Sequence, residues 1–161
     1  MKQALDSLDL KILSLVQKNA ELSIDELAKL SGSSKTPVWN RLKKLKKQGY
    51  ITRQVAILDA EAVGLTACFF VLIRTAEHDK DWQKQFLQAL QNRPEIQEAH
   101  RLAGDVDYLL KVRVRDPADY DRFYQDLVAD ISIFNVTSLL SMQEIISTTT
   151  LHLESLDDPD S

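Results

Sequence analysis

The chain has 161 residues, of which 44% are hydrophobic and 27% are charged. These proportions are ordinary for a folded globular protein and argue against disorder, while the length fits one domain or two. The N-terminal segment has no apolar signal-peptide core, and the longest nearly apolar run, residues 65–73, falls well short of the roughly 20 residues that span a bilayer. We therefore expect a soluble, cytoplasmic protein with no membrane partner.

Charge is distributed unevenly along the chain. The formal net charge is -4, but residues 1–50 carry ten Lys and Arg against five Asp and Glu, a net of +5, and the remainder carries a net of -9. Only the N-terminal part can therefore approach a polyanion.

Three amphipathic segments open the chain, each preceded by a residue that can cap a helix. The predicted helices cover residues 7–19, 24–31 and 35–48. Gly32 separates the last two and can turn the chain with a positive φ, so these helices predict a helix-turn-helix. The expected caps are Asp6 or Ser7, Ser23 with Glu26 in capping-box spacing, and Ser33 or Ser34. The expected core positions are Leu8, Ile12, Leu15, Val16, Leu27, Leu30, Val38, Leu42 and Leu45.

The third predicted helix is basic in a chain that is otherwise acidic. Between Lys35 and Lys47 there are six basic residues and no acidic ones. A charge run alone is usually a solvated face, but behind two further helices it favours a helix that enters the major groove of DNA. Its outward positions are Lys35, Thr36, Trp39, Asn40, Lys43, Lys44 and Lys47.

Strands and helices alternate beyond residue 50. We expect a connecting strand over 50–58 and a turn at 61–64. The elements that follow are a strand over 65–75, a helix over 79–92, strands over 96–103 and 108–115 with a tight turn between them, a helix starting at Asp116-Pro117, and one or two strands within 133–153. This βαββαβ order predicts a ferredoxin-like unit.

The predicted fold class is therefore α+β, with a three-helix, winged-type helix-turn-helix domain followed by a ferredoxin-like βαββαβ domain. The expected boundaries are a DNA-binding helix-turn-helix domain at 1–50, a connecting strand and linker at 51–64, a ferredoxin-like domain at 65–154, and a polar tail at 155–161.

Spaced motifs along nearly the whole chain resemble those of the leucine-responsive and asparagine-responsive regulators, the Lrp/AsnC or feast/famine family. The matching positions are Leu5-Asp6-x-x-Asp9-x-x-Ile12-Leu13-x-x-Val16-Gln17-x-Asn19, Ser23-x-x-Glu26-Leu27-Ala28, Gly32-x-Ser34, Val38-x-x-Arg41-Leu42-x-x-Leu45, Gly49-x-Ile51, Gly104-x-x-Asp107-Tyr108 and Met142-Gln143-Glu144. The chain departs from the family pattern at two places: Ser33 replaces an apolar turn residue, and Ile146-Ser147 replaces Val-Lys.

The resemblance implies a sequence-specific transcriptional regulator that binds a double-stranded DNA operator. The residues that it implies for base reading are Ser34, Lys35, Thr36, Trp39 and Asn40, and those for phosphate binding are Arg41, Lys43, Lys44 and Lys47. Two alternatives remain open: Trp39 could cover the junction between helices, and Arg41 could form an internal salt bridge.

The turn at residues 104–108 is a candidate site for a small amino acid. Backbone N–H groups of a glycine-containing turn can hold a carboxylate, and Asp105 or Asp107 can pair with an ammonium group. An ordinary hairpin turn, whose aspartates cap their own backbone, is the alternative. The resemblance favours an effector site between subunits, closed by a strand whose Leu139 and Leu140 suit an apolar amino acid such as leucine or methionine. The candidate effector-binding residues are Gly104, Asp105, Val106, Asp107, Tyr108, Ser138, Leu139, Leu140 and Ser141.

One face of a βαββαβ sheet is left uncovered by its two helices, so we expect a homo-oligomer. A dimer would place two recognition helices about 34 Å apart, one turn of DNA. The resemblance implies further assembly to a tetramer or octamer.

Catalytic and metal-binding signals are absent from the sequence. His78, His100 and His152 do not have metal-ligand spacing, and no phosphate-binding glycine loop or nucleophile motif is present. The single cysteine, Cys68, lies in an apolar run and is expected to be packed in the core rather than to be a reactive thiol. We therefore predict no enzyme, no metal and no cofactor, and an architectural DNA-binding protein without a ligand remains the rival hypothesis.

Overall fold

The computed structural model describes residues 4–75, 79–131 and 133–153. The secondary-structure elements, in chain order, are α1 (Ser7–Val16), α2 (Ile24–Ser31), α3 (Lys35–Lys47), β1 (Ala67–Arg74), α4 (Lys80–Gln91), β2 (Ile96–Arg101), β3 (Tyr108–Val114), α5 (Pro117–Asp130) and β4 (Asn135–Leu140). Three helices followed by βαββαβ is the predicted order. The described residues up to Ala56, together with those from Ile146 onward, form one compact unit, and Ile57–Ile145 forms a second.

Local capping interactions determine where the first helices begin and end. Asp6 caps α1 and accepts a hydrogen bond from the Asp9 N–H at 2.9 Å, and Ser23 and Glu26 form the expected capping box at α2. Gly32 ends α2 in the left-handed region at φ 71°, which an L side chain rarely adopts. Ser34 occupies the N-cap position of α3 without a side-chain capping bond.

The three helices of the first unit enclose a small apolar core. Ile12 of α1, Leu27 of α2, and Val38 and Leu45 of α3 are at most 1% exposed. The prediction that Leu30 faces this core is wrong, because its side chain lies half exposed on the outer side of α2. Helix α1 also ends three residues earlier than predicted, at Val16.

The second unit is a four-stranded antiparallel sheet in the order β2-β3-β1-β4, the ferredoxin-like arrangement. Helices α4 and α5 pack on one face, where Phe86 and Leu127 are fully buried against Val71 and Leu110. Cys68 is buried as expected and its thiol is free, but its position in the alternation of β1 places it on the opposite face of the sheet.

One predicted strand is missing from the described residues, and the C-terminal segment holds one strand where one or two were predicted. Residues 50–58 are not assigned to any strand, and in the C-terminal segment only Asn135–Leu140 pairs, so residues 141–153 form no second strand. An apolar or β-branched pattern produces a strand only where a partner edge is available, and among the described residues neither segment has one. The segment from Ile146 onward belongs to the first compact unit.

Candidate nucleic-acid interface and ligand site

The outer surface of α3 is polar, cationic and accessible. Of the residues predicted to contact DNA, all but Arg41 and Lys44 are exposed, and those two are half-buried. The exposed ones are Ser34, Lys35, Thr36, Trp39, Asn40, Lys43 and Lys47. The structure therefore presents these residues together on one helix, with small and polar side chains near its N-terminus and lysines along its length.

Trp39 is not buried at the junction between helices. Its side chain is 50% exposed, and the Lys43 Nζ lies 4.9 Å from the centroid of its ring, in cation–π contact. Lys35 Nζ lies 2.7 Å from Asp25 Oδ2, but both side chains are about two-thirds exposed, so this ion pair is weak and can exchange with a phosphate or a base.

Arg41 points back into the protein. Its Nη1 lies 2.5 Å from Asp6 Oδ2 and 3.0 Å from Asp9 Oδ2, so it ties the start of α1 to α3. The hydrogen bond to Asp6 is the chief cause of its raised pKa. From the sequence, Asp6 was predicted only as a helix cap and Asp9 appeared only in the family motif; the spacing of the two acids at i and i+3 was the one local signal of a shared partner.

The turn between β2 and β3 is held to the end of β1 by Asp107. Its N–H donates to the Ile73 carbonyl at 3.0 Å, and its Oδ2 accepts a hydrogen bond from the Thr75 N–H at 2.8 Å. Gly104 has a φ of 146°, and Asp105 is exposed. Of the two aspartates, Asp107 thus has a structural hydrogen bond, and the exposed Asp105 is the better placed to meet a ligand.

The two halves of the predicted effector site are apart within one chain. Tyr108 pairs with Ile73 of β1, which pairs on its other side with Val136 of β4. Leu140 lies four residues further along β4, a distance of about 13 Å at the rise of a strand. Tyr108 itself is buried, with its ring centroid 4.6 Å from that of Phe86. A single chain does not bring residues 104–108 and 138–141 into one pocket.

The residues at 138–141, the second half of the predicted effector site, have different surroundings from one another. Ser138 Oγ forms a hydrogen bond with the Tyr120 hydroxyl. Leu139 and Leu140 are about half exposed, and Ser141 donates its N–H to the Cys68 carbonyl at 2.8 Å. The two leucines are thus the apolar surface that this segment offers.

The face of the sheet opposite α4 and α5 has an apolar centre and a charged margin. Its apolar residues are Phe70, Leu72, Leu109 and Leu139. Lys111 Nζ lies 3.6 Å from Glu98 and 3.7 Å from Glu144, and Arg113 also lies 3.7 Å from Glu144. Arg113 Nε is buried and has no hydrogen-bond partner among the described residues.

A cleft of about 350 Å³ lies at the other end of the sheet from the 104–107 turn. Its charged side chains pair largely with one another: Asp119 binds Arg115 and Arg122, and the hydrogen bond from Arg115 holds the Asp119 pKa well below its usual range. Because these charges already have partners, the cleft has no clear preference for a zwitterion.

The described residues contain no cluster of side chains that could hold a metal ion and no helix long and apolar enough to cross a bilayer. His100 lies 3.2 Å from Glu98, and His78 lies outside the described residues.

Comparison with protein families defines the class of protein. Residues 5–52 match the model described as winged helix-turn-helix DNA-binding, and residues 68–151 match the Lrp/AsnC ligand binding domain. The chain is thus a DNA-binding transcriptional regulator with a ligand-binding domain, as expected from its sequence, and it belongs to the Lrp/AsnC family.

Individual relatives agree with this assignment. The glutamate uptake regulatory protein of Zymomonas mobilis subsp. mobilis is 40% identical over 158 residues, covering 98% of this chain and 96% of its own. The crystal structure of an AsnC family transcriptional regulator from Agrobacterium tumefaciens is 43% identical, with a TM-score of 0.91 over 94% of this chain and 99% of that one. A transcriptional regulator from Neisseria meningitidis, solved as a complex with L-Met, is 30% identical, with a TM-score of 0.90 over 95% and 99% of the chains. These relatives are regulators and not enzymes.

Proposed function

We propose that α3 reads a double-stranded operator and that a small apolar amino acid, such as leucine or methionine, changes the affinity for that operator. The observation that carries the DNA-binding half is the exposure of the polar and cationic residues of α3 on a helix-turn-helix scaffold. Small and polar residues at the start of a recognition helix can contact base edges, while lysines further along meet phosphates.

The residues of α3 divide into two roles in this proposal. The base-reading residues are Ser34, Lys35, Thr36, Trp39 and Asn40, and the phosphate-binding residues are Lys43, Lys44 and Lys47. Arg41 was predicted to bind phosphate, but its contacts with Asp6 and Asp9 favour the internal salt bridge. We therefore assign it to positioning α3.

A second copy of the chain is the proposed partner of the uncovered sheet face. That face is apolar at its centre, and several large apolar side chains in segments that form no strand are strongly exposed. They are Val55, Ile57, Leu58, Met142, Ile145 and Ile146. Exposed apolar side chains in such number are typical of an interface.

Full-chain sedimentation tests the assembly. The wild type is expected to sediment as a dimer or larger species at micromolar concentration, and Ile57→Asp, at a side chain 76% exposed in the single chain, should dissociate it. Leu87→Asp, at a 44% exposed position on α4, is the matched control and should leave assembly unchanged. A monomeric wild type would contradict the proposal.

The amino-acid site is proposed to combine the 104–108 turn of one subunit with residues 138–141 of another. This arrangement follows from the separation of the two segments within one chain. Backbone N–H groups at the turn would bind the carboxylate, Asp105 the ammonium group, and Leu139, which lies on the uncovered face of the sheet, the side chain. The L-Met complex of the Neisseria meningitidis relative supports an apolar ligand.

Calorimetry with leucine and methionine tests this site. Asp105→Ala should weaken binding at least about tenfold, since a charge-assisted hydrogen bond is lost. Asp126→Ala, on the exposed face of α5, removes an equal charge away from the site and should have no effect. Equal affinity in wild type and Asp105→Ala would place the ligand elsewhere.

A further inference from the structure

Residues 148–153 contact the helix-turn-helix unit, although they follow β4 and the residues up to 151 match the Lrp/AsnC ligand binding domain. The Gln17 side chain, at the end of α1, forms a pair of hydrogen bonds with the backbone of Leu151. Its Nε2 donates to the Leu151 carbonyl at 2.8 Å, and its Oε1 accepts from the Leu151 N–H at 2.9 Å. The Gln17 amide thus satisfies both the N–H and the carbonyl of Leu151, as the backbone of a neighbouring strand would.

An apolar contact accompanies the two hydrogen bonds. Leu153 is partly buried against the core cluster of the helix-turn-helix, which contains Ile12 and Leu13 of α1. Ordering a segment costs conformational entropy, and the hydrogen bonds of Leu151 and the apolar contact of Leu153 both offset that cost for residues 148–153. We call these residues the strap.

The strap belongs to a second stretch of chain that connects the helix-turn-helix unit to the ligand-binding domain. The chain leaves the helix-turn-helix unit after Ala56 and returns to it from Ile146 onward. The returning segment begins only five residues beyond Ser141, the last of the proposed effector residues on and after β4. Leu151 of this segment contacts Gln17 at the end of α1, and Asp9 of α1 forms an ion pair with Arg41 of α3.

We propose that the strap transmits the state of β4 to the recognition helix, with Gln17 as its positioning residue. This inference rests on the proposed ligand regulation. The path runs from residues 138–141 through the strap to Gln17, along α1 to Asp9, and across to Arg41. A ligand that displaces β4 also displaces the strap, and the Gln17–Leu151 hydrogen bonds carry this displacement to α1. The Asp9–Arg41 ion pair then carries it from α1 to α3. The contact of the strap with Gln17 and its effect on DNA binding can be measured separately.

The test uses the full chain and the variant Gln17→Met, which keeps the length of the side chain but forms neither hydrogen bond. Gln85→Met, at an exposed position on α4, is the matched control. Amide hydrogen exchange at Leu151 measures whether the strap is held by Gln17. Affinity for a duplex selected from a random library by the wild type, with and without saturating L-methionine or L-leucine, measures the coupling.

The Leu151 amide should be protected in the wild type and in Gln85→Met and should exchange at least about tenfold faster in Gln17→Met. The ligand-induced change in duplex affinity should fall at least about threefold in Gln17→Met, while calorimetric affinity for the amino acid stays unchanged. A chain that stops at Ser147 should show the same loss of response.

Two results would overturn the inference. An unprotected Leu151 amide in the wild type would show that no strap is held, and an unchanged ligand response in Gln17→Met would show that the strap does not transmit. If the wild type binds neither amino acid, the proposed function itself fails; exchange at Leu151 then still decides whether the strap exists, and its coupling role is rejected.

Discussion

Arg41 of α3 and Asp9 of α1 form an ion pair at 3.0 Å in which the carboxylate is almost completely buried. The side chain of Asp9 is 3% exposed and that of Arg41 is 34% exposed. A buried carboxylate is costly unless it has a partner, so the pair fixes the recognition helix relative to α1 rather than leaving Arg41 available to a phosphate.

This relationship predicts that Asp9→Asn weakens DNA binding although it removes a negative charge. The lost pair should destabilise the chain by about 1–3 kcal/mol, less than the 3–5 of a fully buried pair because Arg41 is partly solvated. Urea unfolding and duplex titrations measure the two effects. Asp25→Asn, which breaks the exposed pair with Lys35, is the control and should change stability by less than about 1 kcal/mol. Tighter binding by Asp9→Asn would contradict the positioning role.

Arg41→Ala should leave the salt dependence of DNA binding unchanged, whereas Lys43→Ala and Lys44→Ala should each flatten it. Each phosphate contact contributes about 0.9 to the slope of log affinity against log salt concentration. The lysine variants should also weaken binding to all duplexes alike. Titrations between low and moderate salt give the slopes, with Lys84→Ala on α4 as a control for net charge. A slope that falls with Arg41→Ala would restore that residue to the phosphate-binding set.

Thr36→Ala and Asn40→Ala should change base preference more than overall affinity. Both side chains are exposed on the first half of α3, and a specific base contact provides about 1–3 kcal/mol of discrimination. Competition between the selected duplex and single-base variants measures this discrimination. If both variants weaken all duplexes equally, these residues do not read bases.

Acid should lower the stability of the helix-turn-helix unit through protonation of Asp6. Its pKa is lowered from the ordinary value of 3.8, chiefly by the hydrogen bond from the Asp9 backbone. Because the folded chain then binds fewer protons than the unfolded chain, the stabilisation is complete above 3.8 and is lost as the pH falls through the lower folded-state pKa. Asp6→Ser keeps a capping oxygen but removes the carboxylate. The difference in free energy of unfolding between wild type and Asp6→Ser should therefore shrink between pH 6 and pH 3; a difference independent of pH would contradict this role.

Much of the fold was predictable because its signals are local. The Ser23–Glu26 capping box, the left-handed Gly32 and the Asp116-Pro117 helix start each act within a few residues. The βαββαβ order then leaves few possible sheet arrangements. The strand predicted over 50–58 is absent because a strand also needs a partner edge, and the local pattern does not show whether one is present.

The site was harder to predict because its important contacts are long-range. Exposure of Thr36 and Asn40 follows from helical periodicity, but the partners of Arg41 are more than 30 residues away in the chain. Gln17 and Leu151 are 134 residues apart and form a side-chain to backbone contact that has no periodic signature. The separation of Tyr108 from Leu140 depends on strand order, which the sequence analysis did not apply to the effector site.

The central claim is that one chain couples DNA reading to amino-acid binding, and a single titration tests it most directly. Fluorescence anisotropy of a duplex selected by the wild type gives the Kd of the full chain with and without saturating L-methionine or L-leucine. Allosteric couplings are typically 1–3 kcal/mol, so at least one of the two should change the Kd by about fivefold or more. The same Kd in the presence of each of the twenty amino acids would contradict the claim and leave a DNA-binding protein without amino-acid control.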